Sequence, residues 1–591
     1  MPRSTRILFP ALAAAAMVHM LSSWLASRAE ASAHHWDSLG LEWLGLERFA
    51  SNVLGSNGVS KPTLIALAVA GLVAFLVEVR SGEDSGLRKG LTFVSHPLAI
   101  LPVAACVLIL PNLALTARPT PMAGSPNLLF VMVDTWRADH AGFLGYERDV
   151  TPKLDSLTEG AVVFERAVSQ SSWTKPAVAT LMTGQVPSQH GAVSNPIQGK
   201  AVRGVSLAKS RTTFLEVLRA MGWDTAAWSS NPNVVPARGF AQGTGVFFDS
   251  FNDPRRTPEF DPGRGEHQVQ SLREWLGKRE SDAAPFATYL HVMDPHYPYR
   301  APAPFGGTFA KSDIDFDLSG KVCDAFYNGE KSVDDVTPQM LQHVIDTYDE
   351  ELLYMDNHVG GLIEEVLGEH PNTVVVLVSD HGEEFLEHGQ FGHGIGLWED
   401  LVHVPLAIWA PNLEAGRIPS QVRLMDVPST VLELLGLAAR TPQSFKGKSL
   451  MSVIMGAETA HRLAPMESGG DGRPTWQWRG ISNGETKVLR RELDLEGWPA
   501  PPLAEWERDQ TEVVDFLFQL ESDPEERSGP AATDNPEVQR LFELMQSNGW
   551  YVSPADLFSN MRAQRVDLGG NIRHLQSLGY AGEGDLEAQG N

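Results

Sequence analysis

The chain has 591 residues, too many for one compact core, so it should divide into at least two units. Its 47 Lys and Arg against 73 Asp and Glu give a formal net charge of −26, which disfavours a nucleic-acid partner held by a basic surface. Only two cysteines are present, Cys106 and Cys323, so a disulfide framework and a cysteine-based zinc site are excluded and any metal must be held by oxygen and nitrogen.

In chain order, long apolar runs come first. "ILFPALAAAAMVHMLSSWLA" from Ile7, "PTLIALAVAGLVAFLVEV" from Pro62 and "LTFVSHPLAILPVAACVLILPNLALTA" from Leu91 each approach or exceed the roughly 20 residues that span a bilayer. They predict about three transmembrane helices within residues 1–117. The first run contains Pro10 and His19 and is followed by "ASRAEASA", so it also reads as a signal peptide that is removed. Arg3 and Arg6 precede the first span, and Arg80, Arg88 and Lys89 lie between the second and third, which places both segments in the cytoplasm. A multi-pass membrane protein with everything after Ala117 on the extracytoplasmic side, periplasmic or exterior, is the expectation. Cleavage of the first run leaves that side unchanged.

Residues 118–126, "RPTPMAGSP", form a Pro/Gly/Ser-rich linker. Beyond it, "NLLFVMVD" ending at Asp134, "FATYLHVMD" ending at Asp294, "NTVVVLVSD" ending at Asp380 and "VPLAIWA" from Val404 are short, nearly continuous apolar runs, suited to strands buried on both faces. Helical patterns alternate with them. The clearest starts with Thr337 as N-cap and Pro338 at the first helical position, with Leu341, Ile345, Tyr348, Leu352, Val359, Leu362 and Val366 on one face. Alternation of this kind predicts an α/β domain over residues 127–530, doubly wound, with a mainly parallel sheet and helices on both faces. Residues 251–265, "FNDPRRTPEFDPGRG", read as a loop that shapes a cleft, and 531–591 as a C-terminal helical tail without chemistry.

Sheets of this type bind ligands beyond the carboxyl ends of their strands, so the polar residues ending each run are the candidates. Asp134, Asp380 and His381 end two of them, and Asp294 and His296 follow a third. A hydroxyl is offered by Thr174 in "SSWTKPAVATLMTG", which reads equally as the cap of a helix beginning near Pro176. Two aspartates, a histidine and a hydroxyl can supply the donors of a divalent metal site, and such a metal would lower the hydroxyl pKa.

"NLLFVMVDTWRADHAGFLGY", "TPKLDSLTEGAVVFERAVSQSSWTKPAVATLMTG", "DPHYPYR" and "SDHGEEFLEHGQFGHG", in this order from about Asn127 to Gly529, resemble the sulfatase-like branch of the alkaline phosphatase superfamily. The resemblance implies that Asp134, Asp380, His381 and Thr174 hold one divalent ion (zinc, manganese, magnesium or calcium, with a second left open) and that Thr174 is the nucleophile. His296 and His393 match positions that either bind a second metal or hydrogen-bond the substrate oxyanion, of which the oxyanion role is favoured. Lys175 either adds positive charge beside the nucleophile or is a solvated surface lysine.

The departures decide the chemistry expected. Sulfatases proper carry at the Thr174 position a cysteine or serine that becomes formylglycine, followed by Pro-Ser-Arg; here the run is Thr174, Lys175, Pro176, Ala177, Val178, and threonine cannot form formylglycine. The lysine and histidine of the family's sulfate-binding stretch are missing from "GWDTAAWSSNPNV" at Gly222, and Thr135 replaces a second aspartate. An unmodified threonine resembles the membrane-anchored phosphoethanolamine and phosphoglycerol transferases and the phosphodiesterases and phosphonate hydrolases of the superfamily. The expectation is therefore a membrane-anchored, metal-dependent hydrolase or transferase acting on phosphoester, sulfate ester or phosphonate bonds, with a lipid or cell-envelope glycan as partner. A sulfuric ester hydrolase without formylglycine and an inactive membrane-tethered binding module are the alternatives.

Overall fold

The central strand of the domain, β1 (Asn127–Val133), is the apolar run "NLLFVMV", and its side chains feed two separate cores. Leu128, Phe130 and Met132 belong to one cluster and Leu129, Val131 and Val133 to the other, because alternate residues of a strand face opposite sides of the sheet. This follows from a computed structural model of the chain, which describes residues 120–550 apart from 194, 198–199, 203–205, 251–262, 281–282, 311–313, 328, 470–476, 493–512 and 533. The expected membrane spans, most of the 251–265 loop and the tail from 551 onward lie outside the described residues. Among the described residues no helix is long and apolar enough to cross a membrane.

The main sheet is built from β1, β2 (Val162–Phe164), β3 (Asp224–Ser229), β4 (Val246–Asp249), β5 (Phe286–Val292), β6 (Thr373–Ser379), β7 (Leu406–Trp409) and β8 (Gly416–Ile418). Their order is β8-β2-β7-β6-β1-β5-β3-β4. The run β6-β1-β5-β3-β4 is parallel throughout, and β7 alone is antiparallel to both neighbours. Helices cover both faces. α1 (Thr174–Thr183) packs Val178, Leu181 and Met182 into the first cluster. The second cluster holds residues of α2 (Gly265–Gly277), α3 (Pro338–Met355) and α4 (Gly361–Glu369).

The helix expected from Thr337 begins as its sequence dictates, with the Thr337 side chain accepting from Met340 N at 3.2 Å and Pro338 at its start. It is not one uniform helix, because Asp356–Gly360 forms a π-helical turn between α3 and α4. Asp356 gives the turn a reason: its two carboxylate oxygens accept from Lys153 N and Leu154 N, at 3.1 and 2.8 Å. A second, antiparallel sheet of β9 (Ala464–Gly469), β10 (Gln477–Ser482), β11 (Thr486–Glu492) and β12 (Val513–Gln519) follows, backed by α5 (Pro536–Ser547).

Candidate active site

Asp134 and Asp380 meet because their strands are neighbours in register. Val133 of β1 pairs with Ser379 of β6, so the residue after each emerges at the same rim of the sheet. Both aspartates and His381 are fully buried. Thr135 turns the chain sharply after Asp134 with φ 55°, a left-handed conformation that costs a β-branched residue about 1–3 kcal/mol. The surroundings hold it there: Tyr348 Oη donates to the Thr135 carbonyl at 2.8 Å, and Trp136 N donates to Ser379 Oγ at 3.0 Å.

Thr174 reaches the same rim from the first residue of α1. The sequence allowed it to cap a helix starting near Pro176; instead the helix starts at Thr174, and the cap residue is Trp173, whose side chain makes no cap bond. Thr174 Oγ1 lies 3.3 Å from His381 Nε2. That nitrogen is 3.6 Å from Asp134 Oδ1 and 3.5 Å from Asp380 Oδ2. Four side chains from three distant segments thus converge.

The donor set fits a divalent cation. Asp134 Oδ1 and Asp380 Oδ2 are buried and accept no hydrogen bond, an arrangement that is costly without a positive partner. His381 Nδ1 lies 2.9 Å from the Gly382 carbonyl, which can only accept, so Nδ1 carries the proton and Nε2 offers a lone pair to the same point. Asp134, Asp380 and His381 each place a ligand atom within 4.8 Å of the others. Electrostatics agree. Burial raises the Asp380 carboxyl well above its ordinary value, with the Asp134 charge adding to it. Burial also acts on Asp134, but the hydrogen bond and charge of His291 outweigh it and hold that carboxyl well below. Burial, and then the charge of His393, pushes the His381 imidazole well down, keeping it neutral as a ligand must be.

Two residues that hold Asp134 escaped the sequence analysis. His291 Nε2 lies 2.9 Å from Asp134 Oδ2, and Asn231 Nδ2 donates to the same oxygen at 2.5 Å. Asn231 lies in the stretch "GWDTAAWSSNPNV" from Gly222. His291 is an interior residue of β5, and a lone histidine in an apolar strand gives no signal in sequence.

His296 and His393 join the group: their ring centroids are 4.9 Å apart, and His393 is 4.5 Å from His381. His296 Nδ1 faces the Tyr297 carbonyl at 2.6 Å, and burial, then the charge of His393, lowers its pKa. Lys175 is 1 % exposed, so the surface-lysine alternative fails; its Nζ lies 5.0 Å from the Trp173 ring centroid. Asp294 is turned away from this cluster, accepting from Gly265 N at 2.9 Å. His388 stacks on Trp398 with centroids 4.0 Å apart, a packing role.

Residues 126–437 match the family model described as sulfatase, more than half of the chain. The chain belongs to the sulfatase family. Among curated sulfatase-family relatives, it is 24% identical over 353 residues to the ulvan-active sulfatase of Formosa agariphila, a match covering 56% of this chain and 65% of that protein. It is 25% identical over 406 residues to the multifunctional alkaline phosphatase superfamily protein PehA of Trinickia caryophylli, covering 56% of this chain and 77% of PehA. The match thus spans just under two thirds of the first relative's length. Among solved structures, the phosphonate monoester hydrolase of Agrobacterium radiobacter aligns with TM-score 0.53 at 20% identity, covering 72% of this chain and 95% of that one. BT1596, a 2-O GAG sulfatase, aligns with TM-score 0.55 at 17% identity, covering 74% and 95%. These likenesses fix the fold as that of the sulfatases and the alkaline phosphatase superfamily.

Proposed function

We propose that the chain is a membrane-anchored, metal-dependent enzyme that cleaves phosphoester, phosphonate or sulfate ester bonds with Thr174 as the nucleophile. The observation that carries this reading is the convergence of Thr174 Oγ1, His381 Nε2, Asp134 Oδ1 and Asp380 Oδ2 around carboxylate oxygens left bare by the protein. Asp134, Asp380, His381 and Thr174 would hold the cation, which would supply charge to make the hydroxyl a better nucleophile and to offset the substrate's anionic oxygens.

The chain's own residues do the rest. Asn231 and His291 fix the Asp134 carboxylate, so its free oxygen does not rotate out of the site. His296 and His393, grouped beside His381, and the buried Lys175 would stabilise the charge on the equatorial oxygens of a pentacoordinate transition state. The first residue of α1 also sits at the positive end of the helix dipole, which favours an oxyanion at Thr174.

Sulfate esters stay in the substrate range because BT4656, a neighbour in fold, binds D-glucosamine-2-N,6-O-disulfate as its substrate and a curated relative is an ulvan-active sulfatase. Formylglycine plays no part, since the residue in its position is threonine. The apolar runs within 1–117 would tether the domain on the extracytoplasmic side, within reach of lipid headgroups or envelope glycans.

The test is turnover by full-length protein in detergent with bis(4-nitrophenyl) phosphate, 4-nitrophenyl phenylphosphonate and 4-nitrophenyl sulfate, in zinc, manganese, magnesium or calcium. Thr174→Ala is expected to abolish turnover while retaining the fold, and mass spectrometry of the unmodified protein should find a phosphoryl or sulfuryl adduct on Thr174. Full turnover by Thr174→Ala would refute the nucleophile.

A further inference from the structure

The antiparallel sheet reaches the active site through one hydroxyl. Ser468, next to the end of β9, is buried and donates from Oγ to the Gly394 carbonyl at 2.8 Å. Ser172 Oγ, also buried, lies 3.2 Å from the same hydroxyl. A carbonyl only accepts and a hydroxyl has one proton to give, so the direction is forced: Ser172 donates to Ser468, and Ser468 donates to Gly394. Both ends of this short chain lie beside residues of the site. Ser172 stands two positions before Thr174, and Gly394 directly follows His393.

Other contacts hold the same junction. Glu467 N, one residue earlier in β9, donates to the Gln170 carbonyl at 2.9 Å and ties the strand to the segment ahead of Thr174. The His393 carbonyl accepts from Tyr327 Oη at 2.9 Å, so the carbonyls of residues 393 and 394 are held by different elements. Gly394 has φ 94°, and a Cβ built on it would lie 3.5 Å from Trp173 Cβ, which sets its backbone against the residue preceding the nucleophile. Among these contacts, the Ser468 hydroxyl is the one that bonds to both segments.

We propose that Ser468 is a positioning residue that sets the separation between the Thr174 hydroxyl and the His393 ring. This rests on the roles proposed above for Thr174 and His393. Ser468 acts through Ser172 and Gly394, not on the substrate. Two loops that carry reacting groups drift relative to each other unless something bonds to both, and a displacement of about 1 Å can cost about 100-fold in rate. His393 is assigned to charge that develops in the transition state, so a loosened spacing lowers kcat and leaves KM in place.

The experiment measures kcat, KM, metal content and melting temperature of full-length protein with whichever of the three 4-nitrophenyl esters it cleaves. Ser468→Ala is expected to lower kcat by on the order of tenfold with KM within about twofold and metal retained. Ser172→Ala should give a similar loss, and the double variant no more than Ser468→Ala alone, because one relay is broken in each case. In a His393→Asn background, Ser468→Ala should cost less than about twofold, since the ring it places is gone. The same tenfold loss in that background would make Ser468 a general folding contact and overturn the proposal. Full kcat in Ser172→Ala, loss of metal from Ser468→Ala, or a lowered melting temperature with kcat unchanged would overturn it as well. If Ser468→Ala does not fold, Ser172→Ala tested alone and with His393→Asn decides by the same criteria. An unmodified protein that cleaves none of the esters, or a Thr174→Ala variant that cleaves them as well, fails the Thr174 reading itself, and that failure is seen before Ser468 is changed.

Discussion

Replacing His291 with phenylalanine tests whether the metal site depends on a bond that lies outside the ligand set. His291 Nε2 is 2.9 Å from Asp134 Oδ2, and both side chains are fully buried. Asn231 donates to the same oxygen, so one donor remains after the substitution and the carboxylate keeps its place but not its full restraint. A hydrogen bond to a charged group contributes about 1.5–3 kcal/mol, and phenylalanine fills the space without leaving a void. If that restraint is expressed in metal binding, affinity should fall by about 10- to 150-fold, at about 1.4 kcal/mol per tenfold. The assay is chelator competition for zinc and manganese on full-length protein, with thermal melting in excess chelator to measure the apoprotein separately. Affinity within about threefold of the unmodified protein, together with a lower apoprotein melting temperature, would make the His291–Asp134 bond a folding contact and refute the argument.

Three further outcomes follow from the packing around the site. Burial, joined by the Glu387 charge and opposed by the backbone N–H of Gln390 and His388, pushes the Glu384 carboxyl up to about 8. A folded pKa above the unfolded value means that stability is highest below about 4.5 and declines as pH rises through about 8. Glu384→Gln keeps the acceptor for His388 N and Gln390 N but cannot ionise, so melting temperature measured from pH 5 to pH 9 should decline less than in the unmodified protein. Asp426 is fully buried between Arg423, at 2.7 Å, and Arg462, at 3.0 Å; Asp426→Ala takes from Arg423 its carboxylate partner, while Arg462 keeps Glu458 at 2.8 Å, and should cost about 3–5 kcal/mol in urea unfolding. Gly382 follows His381 directly, and a Cβ there would lie 1.9 Å from the Asp400 carbonyl oxygen, a backbone atom. Gly382→Ala should therefore destabilise by about 1–3 kcal/mol and weaken metal binding by displacing His381, both checked by the melting and chelator assays.

Hydrophobic patterning read alone located four strands of the main sheet: β1, β5 and β6 to within a residue or two, and β7 where the run from Val404 lies. It could not tell that β7 runs against its neighbours, because a strand buried on both faces has the same composition in either direction. It marked Asp134, Asp380 and His381 through a rule about strand ends, and Thr174 through a hydroxyl at a helix start. The start of α1 at Thr174, two residues before the expected one, was not marked by any local signal. The same holds for Lys175, whose burial no neighbour in sequence announces.

The residues the sequence left silent, Asn231 and His291, share one physical feature. Each acts by a hydrogen bond to a group far along the chain, 97 residues away for Asn231 and 157 for His291. The order of amino acids determined which segments are apolar enough to become strands and which chemical groups stand at their ends. Only the folded sheet decided which of those groups share a point in space, because register between neighbouring strands, not distance along the chain, sets what a carboxylate can reach.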